Sequence, residues 1–72
     1  MMEKAKKMMD KTVRTLGFEH EETIKVAAAY DVYYRTMETG SSLIQKREAY
    51  RALREAYLRA MAVYCLEMEE EE

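Results

Sequence analysis

The punctuation of this chain constrains it most. Its 72 residues contain no proline and two glycines, at positions 17 and 40. Proline and glycine are the strongest local breakers of regular structure, so the sequence falls into three uninterrupted stretches. Each is rich in Ala, Glu, Lys, Arg or Met, residues that lose little conformational freedom on entering a helix. The expected fold is all-α, a small up-down-up three-helix bundle forming a single domain over 1–72. Helices are expected at about 2–16, 20–39 and 43–67, with an acidic tail at 68–72.

Apolar spacing supports that division. Met2, Ala5, Met9, Val13 and Leu16 recur at intervals of three and four, the pattern of one helix face. Gly17 suits the left-handed position just past a helix, and Phe18 is expected to fold back toward Val13. The second stretch opens on "EHEE", which places negative charge at the positive end of a helix dipole. Its expected stripe is Thr23, Val26, Ala27, Tyr30, Tyr33, Tyr34 and Met37, with Asp31 on the flank and Lys25, Ala29, Val32 and Thr36 opposite. Thr39 and Gly40 close it. In the third stretch Ser42 and Gln45 form a capping-box pattern. Tyr50, Tyr57 and Tyr64 then repeat every seven residues, joined by Leu53, Ala56, Ala60 and Met61 in a heptad-like seam. Connections of about four residues make consecutive helices antiparallel.

Two features do not fit a closed bundle. Leu58, Ala62, Cys65 and Leu66 fall opposite the tyrosine seam, so the third helix becomes apolar all round near its end. Such a helix is usually covered on every side, which calls for self-association or a partner. The ending "EMEEEE" stacks negative charge on the negative end of a helix dipole and is expected to fray into a solvated tail.

The net charge of −2 conceals segregation. Residues 1–16 carry +3, 17–40 carry −3, 41–66 carry +3 and the ending from Glu67 carries −5. Alternating signs favour antiparallel neighbours and recognition of a charged protein. A single cysteine, Cys65, forms no intrachain disulfide, in keeping with a reducing compartment. No apolar run approaches the roughly 20 residues of a membrane span. No apolar leader core follows the basic start. A soluble, cytoplasmic protein is expected.

Residues that carry chemistry are sparse. His20 has carboxylates one or two positions away, whereas helical metal ligands need partners three or four apart, so a solvated histidine and no metal site are expected. Cys65 with Met61 and Met68 lacks the second thiolate of a soft-metal site. With one His and one Cys, no nucleophilic triad can be assembled, and no cofactor is implied. Lys46, Arg47, Arg51 and Arg54 cluster on the third helix, but Glu48 and Glu55 interleave with them. Arg51–Glu55 and Glu55–Arg59 are available as i, i+4 pairs, which weighs against nucleic-acid binding. The six tyrosines read first as core and rim residues, and second as a recognition surface.

The segment "EKAKKMMDKTVRTLGFEHEETIKVAAAYDVYYRTM", residues 3–37, resembles the small two-helix aspartyl-phosphate phosphatases of sporulating bacilli, the sporulation stage-zero E type. Glu3, Lys4 and Met8, the turn Gly17-Phe18, then Thr23-Ile24 and Asp31 occur in the family's order. Tyr30, Tyr33 and Tyr34 occupy its apolar positions. Ala27, Ala28 and Ala29 stand where the family signature has Ser, Gln and Glu, and Tyr30 replaces its Leu, leaving Asp31. The resemblance implies a helical hairpin that docks on a response regulator. It also implies an aspartyl-phosphate phosphatase in which Asp31 orients water. Alanine offers none of the polar positioning that in-line attack requires.

These readings favour a non-enzymatic regulatory or inhibitory protein acting by protein–protein binding, with a profile common among phage and mobile-element inhibitors of host enzymes. Its partner is then a host enzyme or a response regulator. The interface candidates are Tyr33, Arg47, Tyr50, Arg51, Leu58, Ala62 and Leu66. The alternatives are the phosphatase, with Asp31 as its catalytic residue, and a structural homodimer closed by Leu58, Ala62 and Leu66.

Overall fold

The computed structural model describes residues 2–70 as three α-helices, with no strand among the described residues. Helix α1 spans Met2–Leu16, α2 spans Glu21–Glu38 and α3 spans Leu43–Glu70. All three pack on one another as an all-α bundle. Both glycines adopt positive φ, 84° at Gly17 and 69° at Gly40, which a side chain would make costly. The Gly17 N–H closes α1 by donating to the Val13 carbonyl at 2.9 Å. The capping box forms as expected: the Ser42 N–H donates to Gln45 Oε1 at 3.1 Å, and the Gln45 N–H to Ser42 Oγ at 3.3 Å.

Ala5, Val26, Tyr33, Ala49, Leu53 and Ala60 make the core. Three of these six are alanines, which lets the backbones approach closely. Tyr33 is the largest fully buried side chain; its ring meets that of Tyr50 at 5.6 Å with planes tilted by 59°, a favourable aromatic arrangement. Tyr50, Ala56 and Met61 pack around the core from the tyrosine seam of α3.

The buried arcs of α1 and α2 are narrower than their apolar stripes. On α1 the buried positions are Ala5 and Thr12, and Val13 is half-exposed. A threonine can replace the valine because its hydroxyl donates to the Met8 carbonyl at 2.8 Å, leaving no unpaired polar group. On α2 the arc centres on Val26 and Tyr33, with Ala29 packed against the core. Ala27 and Tyr34, expected inside, lie outside it. At about 100° per residue both sit too far round from Val26 to reach α1 or α3. Phe18 borders the same open groove as Val13 but stays 77% exposed; it does not fold under the end of α1.

Helix α3 sets the length of the molecule, 47 Å against 18 Å across, since 28 residues at about 1.5 Å each span roughly 42 Å. Tyr33 opposite Tyr50 and Glu22 opposite Arg59 fix its antiparallel register with α2. That register leaves about two turns of α3 beyond the start of α2. Contrary to the expected tail from residue 68, helix continues through Glu70. Glu67 is held by His20, and Met68 lines a groove with Thr15, Leu16 and Tyr64 at the end of α1. Those contacts outweigh an unfavourable dipole interaction of about 0.3–1 kcal/mol. The rest of the expected tail, 71–72, lies outside the described residues.

Candidate functional site

Two ionic clusters and the outer apolar face of α3 stand out on a surface that also exposes Phe18, Ile24, Val32, Leu43 and Ile44. At the start of α2, His20 is the N-cap: its Nδ1 accepts from the Glu22 N–H at 3.0 Å. A ring nitrogen that accepts carries no proton, so the proton of the neutral ring lies on Nε2, which donates to Glu67 at 2.7 Å. The histidine expected to be solvated thus joins the turn after α1 to the far end of α3. Sequence offered one signal for the cap, a polar residue immediately before an acidic first turn, and none for the contact with Glu67.

Among the described residues Glu22 is the one buried carboxylate. Lys25 reaches it at 3.2 Å from the next turn of α2, and Arg59 donates to it at 2.9 Å across to α3. The Lys25 hydrogen bond does most to hold its carboxyl below the usual range; burial opposes this and Arg59 adds to it. Arg59 lies four positions from Glu55, where an i, i+4 pair was available. It reaches Glu22 instead, while Glu55 keeps Arg51 at 3.3 Å. A shallow groove of about 450 Å³, lined by Glu22, Lys25, Ala52, Glu55, Ala56 and Arg59, runs along this junction. Its charged groups are already paired, which makes it a structural seam.

Asp31 is exposed and paired with Arg35 at 3.3 Å. The neighbouring Ala27 and Ala28 are exposed as well, so beside Asp31 and its paired Arg35 those two positions offer no polar side chain to orient a water. Among the described residues, no three His, Cys, Asp or Glu side chains gather as a metal site.

The interface candidates divide sharply. Tyr33 has no exposed surface and is a core residue, because its position on the α2 arc faces both other helices; it is unavailable to a partner. Burial pushes its hydroxyl up from the ordinary tyrosine range, with Tyr50 adding to the effect. Tyr50 is half-buried against Tyr33. Arg47 and Arg51 are exposed. Leu58, Ala62 and Leu66 are exposed together, the two leucines at 52% and 59%, and Cys65 with them. At 100° per residue Leu58, Cys65 and Leu66 fall within about 60° of Ala62, directly opposite Leu53 and Ala60. The helix therefore carries one apolar face that builds the core and a second that nothing among the described residues covers.

Comparison with protein-family models, curated proteins and solved structures yields no significant match to the chain. Among the described residues, no helix is long and apolar enough to cross a membrane.

Proposed function

We propose that this protein is a small cytoplasmic regulator or inhibitor that acts by binding another protein, and that the outer face of α3 is its docking face. One observation carries the reading. Leu58, Ala62, Cys65 and Leu66 lie exposed on the back of a helix whose front is the core. Contiguous exposed apolar surface is uncommon on a small monomer and is characteristic of association sites. Arg47 and Arg54, with Arg51 paired to Glu55, border the face nearer the start of α3, so a partner with matching mixed charge fits it best.

The test is capture of a partner from the source cells on the immobilised full chain, beside a Leu58→Glu/Leu66→Glu variant of unchanged helicity. A stoichiometric partner retained by the wild type and lost by the variant is expected. Absence of any such partner, or equal retention by both proteins, contradicts the reading.

A further inference from the structure

His20 is held through both ring nitrogens, and the two bonds ask different things of the ring. Nδ1 accepts from the Glu22 N–H at 3.0 Å and so caps α2. Nε2 donates to Glu67 Oε1 at 2.7 Å and so holds the far end of α3. The neutral ring with its proton on Nε2 satisfies both. The protonated ring cannot, because an imidazolium has two donors and no acceptor. Its Nδ1–H would face the Glu22 N–H, so the cap must open. The bond to Glu67 survives the same event and gains from it, since a neutral donor becomes one member of an ion pair.

The surroundings leave that exchange to these two bonds. Glu19, Glu21 and Glu22 flank His20 in its own segment, and Glu22 is already taken by Lys25 and Arg59. From α3 come Glu67, which meets the ring, Tyr64 on the groove beside it, and Glu69 two positions on. The end of α1 contributes Arg14 in its last turn, and the uncharged Thr15 and Leu16 border the same groove as Glu67 and Met68. Among the described residues, Glu67 is the one carboxylate hydrogen-bonded to the ring. The His20 side chain is 22% exposed, so a proton reaches it from solvent without unfolding.

We infer that His20 is a proton-operated switch between two helix ends. The neutral ring ties the start of α2 to the end of α3. The protonated ring releases the start of α2 and grips the end of α3 more firmly. Imidazole is the side chain that changes charge between about pH 5 and pH 8, so mild acidification operates the switch while carboxylates, which titrate near about pH 4, stay charged. The switch is independent of the docking face of α3.

An NMR titration of the full-length protein from about pH 8 to about pH 5.5 tests it. At the alkaline end the ring nitrogen shifts should show Nδ1 bare and Nε2 protonated. As the ring titrates, exchange of the Glu22 amide, corrected for the intrinsic effect of pH, should quicken about fivefold, as for a lost N-cap. Its midpoint should match that of the ring. The Gln45 amide, capped by the Ser42 hydroxyl, should not follow. The Met68 amide should exchange about twofold more slowly once the ring is charged, the effect of an exposed ion pair. His20→Asn caps without titrating and should make the Glu22 amide indifferent to pH over this range. Glu67→Gln keeps an acceptor without charge, and should abolish the slowing at Met68 while leaving the response of Glu22 in place. A Glu22 amide that ignores the titration of the ring, or that still responds in His20→Asn, overturns the switch. So does a ring with its proton on Nδ1 at pH 8, or an α3 end that loosens in step with α2.

Discussion

Leu53 and Leu58 lie a turn and a half apart on α3, the first with no exposed surface and the second 52% exposed. Both are leucines on a helix with apolar residues on two faces, so composition does not separate them. What separates them is the number of helices available. Helices α1 and α2 cover the face of Leu53, Ala49 and Ala60, and among the described residues no helix covers that of Leu58, Ala62 and Leu66. The difference teaches that the apolar content of α3 exceeds what this fold needs for its own stability. The excess lies on the outer side of the last four turns and, with Leu43 and Ile44, in the first turn.

That contrast can be broken most forcefully from the inside. Leu53→Ala removes a fully buried side chain from a core of six residues and should cost about 2–5 kcal/mol. For a domain this small that is most of its stability, so chemical denaturation should show little or no folded baseline. A near-normal transition would mean that the inner face is not the core.

A second lever is the buried ion cluster that ties α2 to that inner region. Glu22 has a lowered carboxyl pKa in the fold, so its stabilising contribution is complete above the ordinary glutamate value of about 4.3. It is lost as pH falls from there through the lower folded value. Urea midpoints measured from pH 6 to pH 2 should fall more steeply for the wild type than for Glu22→Gln. Parallel curves would remove Glu22 from the account.

Smaller in size and opposite in sign is Tyr33→Phe. The Tyr33 hydroxyl is buried without a hydrogen-bond partner among the described residues, so deleting it should stabilise the fold by about 1 kcal/mol. Thermal melts at neutral pH read this directly. Because burial raises its pKa, Tyr33 also favours the folded state below about pH 10 and loses that contribution as pH rises through its higher folded value. The phenylalanine variant should lack that alkaline decline. A destabilised variant would show that the hydroxyl is satisfied.

Much of this architecture was legible before the coordinates. Gly17 and Gly40 marked the turns because positive φ excludes most other residues, and Ser42 with Gln45 announced the start of α3 through purely local hydrogen bonds. The outer stripe of Leu58, Ala62 and Leu66 was visible too, since periodicity alone places it opposite the tyrosine seam. The arc of α2 was less legible because "AAAY" offers apolar residues in every direction, and only the positions of α1 and α3 decide which are covered. Tyr33, placed on the core stripe and also offered as a contact residue, is in the core alone. His20 and Glu22 were missed for a related reason. Their partners, Glu67 and Arg59, lie 47 and 37 positions away, so only tertiary packing brings them together. The last turn of α3 escaped notice because its support comes from α1 and from His20, not from its own sequence.

The smallest expected effect on stability tests the central claim most directly. Leu58→Glu/Leu66→Glu should shift the urea midpoint of the dilute protein by no more than about 0.5 kcal/mol equivalent, as expected for exposed positions. The same variant should lose target capture. A loss of stability approaching that of Leu53→Ala would show that the outer face is covered within a single chain, and would contradict the division of α3 into a core face and a docking face.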